Sequence, residues 1–513
     1  MENDKPYLSI NAGTHNSQIT RETYLNIGLP NADNTGSGQR YKVSKVQWRG
    51  LNLLSNVDSG YLSNACNISM DALPYLVPTP NYYEYKTGYV VPISLFAFDD
   101  FLVVVYRQSG AIKLDYITSN ATYTGVIKAS GATSADDYQR SIVKFNVYTT
   151  PQDPLSGTYE QKLLIFPDKL SMDFKTTASP VSLSSLGSTY PDIKYATVYL
   201  SRVFGVDDTR IYASAFNDYA NWDLDTADES YSSNAWVSPA QSDTRADGEF
   251  TGIATYGSHV IAFKKDYTYE LYNNKNPFRI QGLFSEGAID NRSVQEVNGS
   301  LLFVSQNKVI MYNGGSPRLV STVLNIGEYD VAVSGVWGNN YYLYTKKDDR
   351  HVIFVYNTAS GEWSKDCISN AVVQFASNDN GIYALFDNGT ICRLNTRDYV
   401  DRDWFFETEL LLNGTVDNKR IIRLQCLAEF DADSEINIYM FKDGEEFNLD
   451  SMSEYHHAQP ENKRGMRAIR MPVNQSAGFM HKIRFGGTGY VKIYSLELVV
   501  QTSGVKYNDT DSK

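Results

Sequence analysis

Tyr269-Glu270-Leu271-Tyr272-Asn273, Val309-Ile310-Met311-Tyr312-Asn313, Ile353-Phe354-Val355-Tyr356-Asn357 and Thr390-Ile391-Cys392-Arg393-Leu394-Asn395 are four short apolar runs that each close on an asparagine. The asparagines are spaced by 40, 44 and 38 residues. Upstream of each run stands a turn glycine, at Gly257, Gly299, Gly338 and Gly381, with steps of 42, 39 and 43. Two independent markers agree on one period near forty. In a sequence of strands, that is the length of one four-stranded propeller blade, a unit that buries its faces only against its neighbours. The expected fold is all-β: a β-propeller of six or seven blades followed by a C-terminal β-sandwich.

Working outward from the repeat, three earlier hairpins supply further blades. They are 93–98 and 101–106 around Asp99-Asp100, 162–166 and 169–174 around Pro167-Asp168, and 196–206 and 210–216 around Asp207-Asp208. Acidic or proline-containing turns between β-branched and aromatic runs are hairpin chemistry. Between Trp222 and Phe250 lies a polar insertion, 223–249, too long for a blade turn and rich in Asp, Ser and Ala. Loops of that length usually carry function or are disordered, and this one is expected on one face of the ring, touching another protein. Residues 1–40, rich in Asn, Gly, Ser and Thr, read as an extended arm.

The period stops after Asn395. Beyond Trp404 a period of two takes over in Ile422, Leu424, Cys426, Ala428 and Phe430, then in Ile436, Ile438 and Met440. A Lys442-Asp443-Gly444 turn and strands at 480–485 and 490–500 follow. The expected division is therefore a propeller over 41–400, a sandwich over 401–502 and a frayed tail over 503–513.

Apolar residues make up 42% of the 513-residue chain and aromatic ones 13%, with 38 Tyr, a composition of folded strands. The net charge of −13 disfavours tight groove binding of nucleic acid, which needs Lys and Arg against phosphates. It is compatible with a conduit through which DNA slides without sticking. Met1-Glu2-Asn3-Asp4-Lys5 leads into a polar segment, so no secretion signal is expected. The most apolar stretch, 90–106, is interrupted by Asp99 and Asp100, which argues against a membrane span. Sequons such as those at Asn120 and Asn298 read as turns. Cys66, Cys367, Cys392 and Cys426 show no Cys-x-x-Cys pair, so neither a zinc site nor a disulfide framework is expected; Cys392 and Cys426 read as buried free thiols.

Nothing in the chain reads as catalytic. Propellers include glycosidases and sialidases, which need convergent carboxylates, but no Ser-x-Asp-x-Gly-x-x-Trp box, Gly-x-Ser-x-Gly elbow or phosphate-binding glycine loop occurs. His456-His457 falls in a charged, proline-flanked loop and reads as solvated. Asp431-x-Asp433-x-Glu435 alternates like a calcium loop but lacks its glycine and distal Glu. The expectation is no enzyme, with no catalytic, cofactor-binding or metal-ligating residue and no cofactor. The run from Tyr356 to Trp363 is similar to the turn-then-tryptophan end of kelch-type blades, with Trp363 as a core anchor.

Two segments carry a wider resemblance. One is Trp48-Arg49-Gly50-Leu51-Asn52-Leu53-Leu54-Ser55-Asn56 with Gly60-Tyr61-Leu62-Ser63-Asn64-Ala65-Cys66-Asn67-Ile68. The other is Arg202-Val203-Phe204-Gly205, Arg210-Ile211-Tyr212-Ala213-Ser214 and Tyr219-Ala220-Asn221-Trp222. They resemble the propellers of bacteriophage packaged-DNA stabilisation, hub and nozzle proteins. The resemblance implies a structural virion protein forming a ring, six-fold and homo-oligomeric, around the DNA exit channel. Its partners would be head–tail connector or adaptor proteins, tail fibre or spike proteins, and phage DNA passing without sequence-specific contact. Assembly would take place in the host bacterial cytoplasm. An acidic channel face would follow from that role. The alternative is a tail-tip receptor- or carbohydrate-binding adaptor, with Tyr82, Tyr83, Tyr85 and Trp236 stacking on sugars.

Overall fold

The computed structural model describes residues 22–25, 40–45, 48–54, 59–148, 159–224, 233–239, 248–273, 275–324, 332–347, 350–412, 418–443, 449–458, 464–473 and 477–502. The chain divides into two compact units, 80–398, and 1–79 with 399–513. Strands dominate both, and among the described residues no helix is long and apolar enough to cross a membrane.

In the unit 80–398, apolar runs separated by tight turns build seven antiparallel blades of four strands, I to VII, at 91–128, 141–185, 195–237, 250–284, 295–319, 333–368 and 372–393 with 83–86. The expected six or seven blades are seven. Tyr83–Lys86 is the outermost strand of blade VII, pairing with Ile391–Arg393. A strand from the start of this unit thus closes the ring against strands from its end.

The core lies between blades, and the sequence of a central strand shows why. Phe101–Gln108 is buried along its first six residues. Phe101, Val103 and Val105 face blade II, packing with Leu163, Ile165 and Met172. Leu102, Val104 and Tyr106 face blade VII, with Tyr383, Leu385 and Ile391. A strand covered on both faces reads as a continuous apolar run, and each fully buried Val, Leu or Phe contributes about 1.5–3 kcal/mol. Trp363 is an anchor of this kind: it is 1% exposed, and its Nε1 donates to Val320 O at 2.8 Å.

Hydroxyls and amides on the inner strands tie blade to blade. Ser94 Oγ accepts from Arg140 N at 3.1 Å, Ser141 Oγ accepts from Ala196 N at 3.1 Å, and Gln374 Oε1 accepts from Leu95 N at 3.3 Å. At one contact even a methyl group is too large. A Cβ on Gly335 would stand 2.4 Å from Phe375 Cβ, an atom fixed to the backbone of the next blade. Gly335→Ala should therefore destabilise by about 1–3 kcal/mol, although the same change in an open strand is mildly stabilising. Urea midpoints decide it; a loss under about half a kcal/mol would mean the blades slide apart freely.

The repeat marks one face of the ring. Gly257, Gly299 and Gly338 sit at positive φ (55°, 70° and 57°) in the first turn of blades IV, V and VI. The asparagines close third strands: Asn357 Oδ1 accepts from Ala359 N at 3.0 Å, and Asn273 Nδ2 donates to Pro277 O at 2.8 Å. In an antiparallel meander, first and third turns share a face, so both markers lie on the same side. The hairpin expected over 196–216 holds one turn more than its sequence shows. Leu200 and Ser201 turn the chain with φ of 46° and 55°, splitting the run into Tyr195–Tyr199 and Arg202–Val206. Neither is the glycine or asparagine that such left-handed φ values usually call for.

The connection from blade I to blade II, 129–140, is pinned by cations. Arg107 Nε lies 2.9 Å from Asp137 Oδ1, Lys128 Nζ 2.7 Å from Asp136 Oδ1, and Arg140 Nε 3.0 Å from Asp168 Oδ2. The Arg140 and Asp168 side chains are 0% and 3% exposed.

The second unit consists of two five-stranded antiparallel sheets. The first is ordered Glu22–Leu25, Arg40–Lys45, Val491–Thr502, Lys419–Phe430, Gly465–Pro472; the second Leu62–Cys66, Asp403–Thr408, His481–Thr488, Glu435–Asp443, Leu449–Ala458. Alternate residues are buried, with Ile436, Ile438 and Met440 all at 0% exposure. The division between the units falls at 79/80 and 398/399, against the 40/41 and 400/401 expected. Residues 41–79 belong to this unit, since Tyr41 pairs with Val500 and Ala65 with Phe406. Part of the expected arm is a strand, Glu22–Leu25, paired with Arg40–Lys45. Partners hundreds of residues apart leave no periodicity to read. The rest of the arm up to residue 21, the tail 503–513 and the turn residue Gly444 lie outside the described residues. A bulge between Ile421 and Arg423 shifts the expected phase, so that Ile421 is buried in place of Ile422. Cys392 and Cys426 are free thiols, which burial pushes up to about 11 and about 12. Cys66 and Cys367 are each disulfide-bonded, against expectation.

Candidate functional site

The first strands of neighbouring blades contact one another and form the inner ring. Along 91–98, 141–148, 195–199, 250–256, 295–297, 333–337 and 372–378 the side chains are apolar, hydroxyl or amide, with Glu296 the sole carboxylate and Lys144 the sole cation. The propeller's own inner ring therefore carries no acidic face. Several of the described carboxylates serve turns. Asp207 Oδ1 accepts from Thr209 N and Arg210 N, both at 2.6 Å, and Asp207 Oδ2 accepts from Tyr212 Oη at 2.8 Å.

Of the aromatics expected on sugar-binding loops, Tyr83, Tyr85 and Trp236 are strand residues, and Tyr82 directly precedes a strand. Trp236 lies in the 223–249 insertion, but Trp236–Val237 pairs with Tyr212 and Ala213 as the outer strand of blade III. Trp236 is 7% exposed and 5.4 Å from the Phe278 ring, so it is core. Residues 225–232 and 240–247 of the insertion lie outside the described residues. Tyr82 Oη donates to Asp366 Oδ2 at 2.8 Å, Tyr85 packs on Tyr383 with ring centroids 5.3 Å apart, and Tyr83 alone of the three is largely exposed, at 62%. They close the ring; they do not form a platform.

His456 and His457 lie on the strand Leu449–Ala458, not in a loop. Adjacent strand residues point to opposite faces. His456 Nδ1 is 2.6 Å from Asn437 Oδ1, while His457 meets Phe430 edge-on at 5.3 Å, so they are not a ligand pair. Asp431 is engaged by Arg464 and by Ala432 N, and Asp433 turns the chain at φ 58°.

A site that the sequence did not signal lies on the second sheet of the smaller unit. Period two places Trp404, Phe406 and Thr408 inside and Asp403, Phe405 and Glu407 outside. Across the sheet, Phe405 stands opposite Gly486 and Gly486 opposite Asn437; in the next row Glu407, Arg484 and Tyr439 align. Phe405, Gly486, Asn437, Arg484 and Tyr439, with Asp403, Phe441 and Thr488, line a cleft of about 710 Å³. The Arg484 guanidinium carbon lies 4.3 Å over the Phe405 ring, and its Nη1 is 3.8 Å from Glu407 Oε1. Lys482 Nζ sits 2.6 Å from Glu407 Oε2. Glycine between aromatic neighbours leaves a hollow floored by backbone. Aromatic walls with a few convergent polar groups are what a small-ligand site needs. The strand expected over 480–485 runs on to Thr488. The available signal was the alternation through 403–408.

No known protein-family model matches this sequence, and no curated protein matches it. Solved structures do. BamB from Moraxella catarrhalis is similar at 11% identity, with 66% of this chain and 98% of that one covered and a TM-score of 0.36. The WD40 domain of coronin from Toxoplasma gondii is similar at 8% identity, with 65% and 90% covered and a TM-score of 0.36. The extracellular domain of the putative hybrid two-component system BT4673 from B. thetaiotaomicron is similar at 9% identity, with 67% and 42% covered and a TM-score of 0.40. Likeness at this level carries no functional argument. The chain is a β-propeller protein.

Proposed function

We propose that this chain is a structural subunit of a bacteriophage tail, a hub or nozzle protein whose copies form a ring around the DNA exit channel. In that role it retains the genome and then conducts it during ejection. One observation carries the reading: the segments that resemble tail propellers are packing segments. Arg202–Val206 is buried at every residue, and a Cβ on Gly205 would meet Ile193 Cγ2 at 2.5 Å. Trp222 lies 4.9 Å from the Tyr190 ring, and both donate to Tyr219 O. In the other segment Trp48 stacks edge-on against Phe406 at 5.4 Å, and Leu51 is fully buried. A resemblance held in the scaffold suits a protein that works by shape.

With Glu296 alone on the inner ring, an acidic wall for sliding DNA would be built from turns and outer strands of neighbouring copies. Light scattering and electron microscopy of the full chain, alone and with connector proteins, test the proposal. A closed ring of about six copies is expected. A monomer or trimer that ignores the connector would overturn it. The receptor-recognition alternative draws its support from the aromatic cleft of the smaller unit.

A further inference from the structure

Two adjacent glycines on the strand His481–Thr488 are held there by different causes. A Cβ on Gly487 would lie 1.9 Å from the carbonyl oxygen of Glu435, so only glycine fits. A Cβ on Gly486 would meet Phe405 Cβ and Trp404 O at 3.4 Å, an ordinary contact, and its backbone is not left-handed. A glycine inside a strand weakens it relative to alanine. Packing supplies no reason for it at 486. What the missing side chain does is keep the floor of the cleft open between Phe405 and Asn437.

We infer that this hollow binds a neutral saccharide. The inference rests on the receptor-recognition reading of the smaller unit and is independent of ring formation. The strand under the hollow is paired on both sides, with Asp403–Thr408 and with Glu435–Asp443, so it offers no free backbone edge to a peptide. Recognition falls to side chains. Phe405, Tyr439 and Phe441 present apolar surface to the C–H face of a sugar ring. The Asp403 carboxylate, Asn437 amide, Tyr439 hydroxyl and Arg484 guanidinium are polar groups suited to neighbouring hydroxyls. Asp403 and Arg484, the two charged side chains lining the cleft, cancel, which favours a neutral ligand over a polyanion. The 710 Å³ volume falls within the range of about 300–1,000 Å³ that takes ligands of this size.

The test titrates the full chain with maltotriose, cellotriose and chitotriose, and with trigalacturonate as the acidic contrast, read by saturation-transfer NMR and calorimetry. At least one neutral probe should bind with a Kd of about 1 mM or tighter, a free energy near −4 kcal/mol. Gly486→Leu, which fills the hollow, and Tyr439→Ala, which removes a wall, should each weaken it at least about tenfold. Both variants should melt with the parent protein and form the same oligomer, which keeps loss of the site apart from loss of the fold or of the ring. Failure of every neutral probe at about 10 mM overturns the inference, as does binding of trigalacturonate alone or an affinity that both substitutions leave unchanged.

Discussion

Asp168→Ala should lower stability by roughly 3–5 kcal/mol, the largest single loss expected in the propeller. The carboxylate is the counter-charge of Arg140, whose side chain is completely buried. Arg140 Nη1 donates to the backbone oxygens of Asp136 and Tyr138, its guanidinium lies 4.1 Å over the Tyr138 ring, and Nη2 is buried without a hydrogen-bond partner. Removing Asp168 leaves a cation that cannot be deprotonated and cannot reach water. Lys128, 3.9 Å from Asp168 Oδ1, would face the same loss but is 37% exposed and can turn outward. The double variant Arg140→Met with Asp168→Ala should be less destabilised than Asp168→Ala alone, because it buries no unpaired charge. Urea unfolding of the single and double variants closes the cycle. An Asp168→Ala protein within about 1 kcal/mol of the parent would mean that the guanidinium is hydrated after all.

Acid should weaken the smaller unit by about 3 kcal/mol through one histidine. His481 is 0% exposed, and neither ring nitrogen has a hydrogen-bond partner. Burial pushes its pKa down from 6.5 to about 4, Lys419 and Lys442 push the same way, and Asp443 opposes them. Between those two values the unfolded chain takes up a proton that the folded chain refuses. Stability from this group is therefore complete above pH 6.5 and falls as the pH drops towards 4. Denaturant midpoints at pH 7.5 and 4.5 should separate widely for the parent and less for His481→Leu. Parallel profiles would assign the acid sensitivity to other groups.

How far the fold could be read depends on which residues make the turns. Blades IV to VII advertise themselves because glycine takes the positive φ of their first turns and asparagine closes their third strands. Blade III hides a strand boundary because Leu200 and Ser201 adopt the same left-handed conformation without the usual residue types. The 223–249 insertion looked like one loop because, among its described residues, only Trp236 and Val237 enter the sheet. The cleft was illegible for the opposite reason. Gly486 and Gly487 carry turn chemistry in sequence, yet they continue a strand through register with Phe405 and Trp404. Composition states which conformations a residue tolerates; pairing decides which one it takes.

Closure of the ring by Tyr83–Lys86 sets a timetable for biosynthesis. Its partner Ile391–Arg393 emerges about 300 residues later, which at about 5–20 residues per second is a delay of roughly 15–60 s. For that interval Tyr83–Lys86 lacks its native neighbour, and blade I lacks the blade that covers Leu102, Val104 and Tyr106. An uncovered strand edge beside bare apolar surface invites pairing with another nascent chain. On a polysome, where copies of the same sequence grow side by side, this ring runs its greatest risk of misassembly just before its last blade is finished.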